Sequence, residues 1–136
     1  MSNPPVESAP NGSLRLSVLE ERFAVCRLGP QAEIPPWAAS SPFFCVTRTP
    51  DELSIVCPEE CVPAGITCER GWHAFKLEGP FDFGLVGVLA SVVAPLAESQ
   101  VGILAMATYD TDYVLVRESQ LDLAMAALRE RGHEVR

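Results

Sequence analysis

The sequence predicts an α+β fold in which antiparallel strands form sheets that carry helices on one face. Two β-rich hairpin patterns, at residues 43–58 and 101–116, each contain an acidic residue in the turn and predict the sheets. Apolar residues recur at helical spacing over 85–96 and 121–128, which predicts two helices in the second half. Strands and helices that alternate around hairpins are typical of the α+β class.

Composition and charge limit the classes of protein to which the chain can belong. The 136 residues include 48% hydrophobic and 21% charged residues, the balance of a globular protein. The formal net charge is −8, and the acidic residues are spread along the chain. We therefore expect neither nucleic acid nor an anionic membrane surface to be a partner.

The N-terminal segment has neither the basic start nor the apolar core of a signal peptide, so residues 1–12 are predicted to be a disordered leader. The longest apolar run, 85–96, is too short to span a bilayer. We expect a soluble, cytoplasmic protein whose five cysteines are reduced thiols. The spacing of Cys57, Cys61 and Cys68 matches no zinc motif. Neither a metal site nor a cofactor is therefore predicted.

In the first half, alternating apolar residues predict strands at 14–18 and 23–28, joined through a charged segment. Prolines over 34–41 allow at most a short helical turn. A hairpin follows at 43–58, and proline and glycine make 59–70 the expected seam between two halves.

The second half is more regular. A strand is predicted at 72–77, and a helix is predicted from Leu85 with Asp82 as its N-cap. A hairpin is predicted to turn at 110–112. Ser119 with Asp122 resembles the capping box of a last helix, which Gly132 would stop.

An internal repeat relates the two hairpins. A shift of sixty residues sets Leu53 on Tyr113 and Glu52 on Asp112, and apolar positions meet apolar positions along the strands. Each half then has the order strand, helix, strand, strand, helix, strand, with the helices of the first half shortened by proline. The predicted boundaries are 13–70 for a degenerate first unit and 71–136 for a second unit.

This order, the segment EGPFDFGLVGVLA and the hairpin AMATYDTDYVLV resemble an ACT domain. The chain resembles a tandem pair of them, similar to small bacterial ACT-domain proteins, to CASTOR-like amino-acid sensors and to the regulatory ACT pairs of aspartate kinases. The resemblance implies two ferredoxin-like βαββαβ units. It also implies a non-catalytic regulatory module that binds an amino acid at the interface between ACT units, forms a homodimer and acts on a protein partner.

The resemblance places the ligand loop of the family on residues 82–86. Backbone N–H groups at a helix N-terminus suit the carboxylate of a free amino acid, and carboxylate or hydroxyl oxygens suit its ammonium group. An acidic pair at the hairpin turn would face a cationic side chain and favour arginine or lysine. The candidate ligand-binding residues are Asp82, Phe83, Gly84, Leu85, Val86, Thr108, Asp110 and Asp112.

Other interpretations of the same residues stay open. The candidates are equally typical of an ordinary N-cap and ordinary turns, in which case the chain is an ACT-fold dimerisation or interaction protein without a ligand. An uncharacterised enzyme is a further alternative. However, His73 and His133 lie in no nucleophile motif, and the sequence contains no phosphate loop or dinucleotide fingerprint. No catalytic residue is therefore predicted.

Overall fold

A computed structural model describes residues 13–79, 81 and 86–136, and the chain divides into two compact units. Unit 1 comprises residues up to Leu19 together with His73–Arg136, and unit 2 comprises Glu20–Trp72. The predicted boundaries, 13–70 and 71–136, had instead divided the chain into two continuous halves. Each observed unit therefore includes part of the first strand, which the sequence had assigned wholly to the first half.

The strands of unit 2 are ordered β2-β3-β1-β4. Strand β1 (Arg15–Leu28) pairs antiparallel with β3 (Leu53–Pro58), β3 pairs antiparallel with β2 (Cys45–Arg48), and β4 spans Cys68–Leu77. The prediction of two strands at 14–18 and 23–28 is wrong. Residues 20–22 are exposed within one continuous strand, so their charges face solvent and do not break it.

Helical structure in unit 2 is limited to two short 3₁₀ segments, at Pro36–Ala39 and Glu59–Cys61. Proline and short length account for this, as the sequence predicted. The core of unit 2 forms between β1, β3 and these segments, and its buried members are Ala24, Cys26, Ala38, Leu53, Ile55, Cys57 and Val62.

The strands of unit 1 are ordered β7-β1-β4-β6-β5. Strands β5 (Ile103–Ala107) and β6 (Asp112–Arg117) form an antiparallel hairpin, and β7 (Glu134–Val135) pairs parallel with the start of β1. Helices α1 (Val88–Glu98) and α2 (Leu121–Glu130) pack on one face of these strands. The predicted α+β class and its antiparallel hairpins are confirmed. The largest core side chains are Leu16, Phe75, Leu77, Val92, Leu96, Val114, Val116 and Leu128.

Helix α1 begins later than the sequence predicted. Its N-cap is Gly87, which has a left-handed backbone (φ 82°) that a helix cannot continue through. The prediction of a helix start at Leu85 with Asp82 as N-cap is therefore wrong. Pro95 lies inside the helix and is buried there.

Helix α2 differs from the prediction at its start and agrees with it at its end. A 3₁₀ segment, Glu118–Gln120, precedes the helix, and the N-cap Gln120 makes no side-chain capping bond, so the predicted capping box is wrong. Gly132 has φ 97° and ends the helix, as predicted. Its N–H donates to the Arg129 carbonyl, and the next N–H donates to the Leu128 carbonyl, which is a Schellman motif.

Neither α1 nor α2 has the length and apolar character needed to cross a membrane, and the same holds for the 3₁₀ segments of the described residues.

Candidate functional site

The loop after β4 lies against the β5–β6 turn at one edge of unit 1. The Phe81 N–H donates a hydrogen bond of 2.8 Å to the Asp110 carbonyl. Gly79 approaches the same carbonyl so closely that a Cβ there would lie 3.0 Å from its oxygen. The structure therefore places the residues that precede the predicted ligand loop against the predicted hairpin turn.

The β5–β6 turn is closed by two threonines. The Thr108 N–H donates to the Thr111 carbonyl at 2.8 Å, and the Thr108 hydroxyl donates to the same carbonyl at 3.0 Å. The Thr108 hydroxyl also accepts the Thr111 N–H at 3.1 Å, while the buried Thr111 hydroxyl donates to the Leu77 carbonyl at 2.5 Å. These bonds fix the turn to the end of β4, and they occupy the Thr108 hydroxyl within the turn.

Asp112 is the first residue of β6 and lies opposite Ala107 on β5. Alternate residues of a strand share a face, so Asp112 lies on the face of Val114 and Val116, which contact the helices. The residue is partly buried, and burial raises the pKa of its carboxyl group. Asp112 is therefore a carboxylate at the rim of an apolar core.

The other candidates have different positions. Asp82, Phe83, Gly84 and Leu85 lie outside the described residues. Val86 is 95% exposed immediately before α1, and Asp110 is exposed in the turn. Of the eight predicted site residues, the structure therefore gathers Thr108, Asp110 and Asp112 on one hairpin.

Sequence reasoning missed two buried polar residues that connect elements of unit 1. Thr111 was taken only as a turn residue, although it is a buried anchor to β4. His133 is buried and accepts the Leu14 N–H at Nδ1 (3.0 Å), while its Nε2 lies 2.8 Å from the Ser91 carbonyl. Nε2 must carry the proton, because a carbonyl can only accept. The ring thereby connects α1 to the start of β1.

A shallow cleft of about 330 Å³ lies elsewhere, between α1 and α2, and none of the predicted site residues lines it. Its walls include the Glu98–Arg131 ion pair. Within the described residues, no group of three or more histidine, cysteine, aspartate or glutamate side chains is arranged to hold a metal ion.

A profile described as "ACT domain" matches residues 67–130, and a second profile, described as an N-terminal domain, matches 21–65. Residues 67–130 of the chain belong to the ACT-domain family. The resemblance to an ACT domain, which was inferred from the strand order and two sequence segments, is thereby confirmed.

The chain is also similar to three individual proteins. A solved structure from Agrobacterium tumefaciens is 37% identical and superimposes with a TM-score of 0.87, with 94% of each chain covered. The Bos taurus "Cytosolic arginine sensor for mTORC1 subunit 1" is 32% identical over 97 residues, which are 63% of this chain and 30% of the sensor. The regulatory subunit of aspartate kinase from Thermus flavus is 10% identical and has a TM-score of 0.60, with 85% of this chain and 95% of the subunit covered.

The chain thus spans about a third of the length of the curated sensor that it matches. The similarity to aspartate kinase shows the fold alone, because the sequence identity is so low. Membership of a family of regulatory domains and similarity to an amino-acid sensor support a regulatory role for this chain.

Proposed function

We propose that this protein is a non-catalytic regulatory module that binds a free amino acid with a cationic side chain at the edge of unit 1 formed by the β5–β6 turn. The family assignment and the printed function of the arginine sensor support the amino-acid class. The residues of the hairpin support the cationic side chain. Binding would then alter how the module acts on a protein partner in the cytoplasm, and we include self-association into a homodimer in this proposal.

The observation that carries the proposal is the position of Asp112. The corresponding first residue of β3 in the other hairpin is Leu53, which is fully buried in the core of unit 2. Unit 1 has a carboxylate at this position, and burial raises its pKa. A part-buried carboxylate at the rim of an apolar core costs stability, and such costs are typical of functional positions.

The residue opposite Asp112 also supports the binding of a cationic ligand group. In unit 2, Arg48 lies opposite Leu53, and its guanidinium donates to the Pro30 and Ala32 carbonyls at 2.5 and 2.6 Å. In unit 1 the corresponding residue is Ala107, which has neither charge nor length. The hairpin therefore supplies no arginine of its own at this position, and a cationic ligand group can meet the Asp112 carboxylate.

The start of α1 supplies the complementary group. The N-cap of α1 is Gly87, and among the residues that the structure describes no side-chain capping bond is made there. The N–H groups at the first turn of a helix have no intrahelical partner and attract anions. We propose that they receive the ligand carboxylate. The loop residues Asp82, Phe83, Gly84, Leu85 and Val86 remain part of the proposed site, together with Thr108 and Asp110.

The proposed role requires no bond to be made or broken. The aliphatic hydroxyls of the β5–β6 turn belong to Thr108 and Thr111 and are both engaged with backbone carbonyls. Neither hydroxyl has a histidine beside it among the hydrogen bonds of the described hairpin, whereas a hydroxyl nucleophile needs a base within reach. The proposal is therefore binding without catalysis.

A thermal-shift screen of the twenty amino acids tests the proposal. We expect arginine, lysine or both to raise the melting temperature, and acidic amino acids to have no effect. Asp112→Asn should abolish the shift, while Asp51→Asn, in the exposed turn of the other hairpin, should retain it. A screen without any response, together with a stable dimer by light scattering, would instead support an interaction protein without a ligand.

A further inference from the structure

Three cysteines that are far apart in the sequence form a row across unit 2. Cys57 lies on β3, Cys26 on β1 and Cys68 at the start of β4, and these strands are neighbours. Cys26 and Cys57 are buried members of the same apolar cluster, and Cys68 packs against it. Cys61 packs against the same apolar cluster. The core of unit 2 therefore contains a thiol network with Cys26 at its centre.

The backbone register determines which thiols can be joined. The Arg27 N–H donates to the Thr67 carbonyl at 3.0 Å. In an antiparallel pair, this bond places Cys26 directly opposite Cys68 at a non-hydrogen-bonded position, where Cβ atoms come within about 4.5–5.5 Å. A disulfide needs only a small further approach from that separation. Cys57 lies opposite Ala24 and is only a diagonal neighbour of Cys26.

The two opposed thiols differ in access. Cys68 is partly exposed, whereas Cys26 is only 1% exposed. Burial, followed by the neighbouring Cys57 and Cys68, raises the pKa of the Cys26 thiol to about 12. A small oxidant therefore meets Cys68 first, and Cys26 is the thiol positioned to react next.

We propose that Cys26 and Cys68 form a reversible disulfide when the protein meets a peroxide. The Cys68 thiolate sulfur attacks one peroxide oxygen, the O–O bond breaks, and the leaving oxygen departs as water after protonation, which leaves a sulfenic acid. The Cys26 thiol then loses its proton as its sulfur attacks the Cys68 sulfur, the S–O bond breaks, and the leaving oxygen takes up the proton and departs as a second water. Two thiols and one hydrogen peroxide thus give one disulfide and two waters.

The disulfide would close the chain between residues 26 and 68 and connect β1 to β4 within unit 2. A cross-link over a long loop restricts the unfolded chain, so oxidation should stabilise the fold. This inference does not depend on ligand binding at the β5–β6 turn, because that turn belongs to unit 1.

The test is peptide mapping of the full chain after treatment with hydrogen peroxide. Digestion with trypsin and a glutamate-specific protease separates Cys57 from Cys61 and Cys68, and fragmentation then distinguishes the last two. We expect a peptide that links Cys26 to Cys68, and a raised melting temperature that dithiothreitol reverses. A link between other cysteines, or Cys68 oxidised to sulfinic acid beside a free Cys26, would overturn the proposal.

Variants separate this pair from general thiol oxidation. Cys68→Ser should remove both the linked peptide and the rise in melting temperature on oxidation. Cys45→Ser is the matched control, since Cys45 is partly exposed on β2 and lies outside the thiol network. That variant should behave as the wild type. An unchanged rise in melting temperature in Cys68→Ser would contradict the assigned pair.

Discussion

The two hairpins of this protein share one backbone plan and differ at a few side chains. Each turn begins with a threonine whose hydroxyl bonds the turn backbone, Thr49 in unit 2 and Thr108 in unit 1. Each second strand has six residues and leads into a three-residue 3₁₀ segment, from Glu59 in unit 2 and from Glu118 in unit 1. The hairpins are thus two copies of one structure.

The difference lies at the first residue of the second strand. Leu53 completes the core of unit 2, whereas Asp112 brings a carboxylate to the rim of the core of unit 1. The residue across the hairpin changes with it, from Arg48 to Ala107. The comparison teaches that a position which is filled by a buried leucine in one copy holds a part-buried carboxylate in the other.

The turns also differ in how they are held. The Asp51 carbonyl accepts a hydrogen bond from the Arg27 side chain at 3.1 Å, in an exposed position. The corresponding Asp110 carbonyl accepts the backbone N–H of Phe81 at 2.8 Å. The first turn is therefore held by a side chain of β1, and the second by the backbone of a residue that follows β4.

The largest expected effect comes from replacing Leu53 of unit 2 with aspartate, the residue that unit 1 has at the corresponding position. Leu53→Asp should reduce the free energy of unfolding by about 4 kcal/mol or more, because it places a carboxylate in a filled core position. Urea denaturation measures this loss, and Leu53→Met is the control for altered shape alone. A loss below about 1 kcal/mol would show that the two positions are not differently packed.

A smaller effect is expected from the threonines. Thr108→Val should cost about 1–2 kcal/mol, since it removes two hydrogen bonds and loosens a turn that is tied to β4 and Phe81. Thr49→Val should cost about 1 kcal/mol or less, because its turn is exposed. Thermal unfolding of both variants shows which substitution destabilises the protein more. Equal costs would contradict the different anchoring of the two turns.

The reverse substitution, of Asp112 in unit 1 by the leucine found at the corresponding position of unit 2, should stabilise the protein. Asp112→Leu is expected to raise the free energy of unfolding by about 1 kcal/mol, because the apolar side chain can join the core face of β6. Ligand binding should be lost in the same variant. Asp110→Leu, at the exposed turn, serves as the control and should not stabilise.

The smallest expected effect is a change in pH dependence. The folded-state pKa of Asp112 is raised by burial, so the ionised carboxylate costs stability above that pKa, and the cost disappears as pH falls below the unfolded value. Asp112→Asn should therefore stabilise the protein at neutral pH and progressively less towards about pH 4. Urea denaturation of both proteins across this pH range measures the difference in their free energies of unfolding. A difference that does not change with pH would argue against a buried carboxylate.

Sequence alone predicted the α+β class, both hairpins and the end of α2, because alternation, helical spacing and glycine are local signals. The start of α1 was missed, since Asp82 and Gly87 both suit a helix start and only the left-handed backbone of Gly87 decides. Strand β1 was divided in two because its charged residues are exposed rather than structure-breaking. These errors arise where tertiary context overrides a local preference.

The internal repeat was predicted from the sequence with a small error in the alignment of the two hairpins. The predicted shift of sixty residues is wrong by one, since β3 begins at Leu53 and β6 at Asp112, a shift of fifty-nine. The sequence contained the signal, because Thr49 and Asp51 then align with identical residues at Thr108 and Asp110. With the corrected shift, Asp112 falls on a buried leucine rather than on Glu52. The thiol row had no such signal, because strand register across three strands determines it.

The proposed role of Asp112 can be measured by calorimetric titration of arginine and lysine into the wild type and Asp112→Asn. We expect saturable binding of at least one of them to the wild type, and a loss of at least about tenfold in affinity in the variant, the effect of removing one charge-assisted contact of about 1.4 kcal/mol. Equal affinity in both proteins would contradict the role assigned to Asp112.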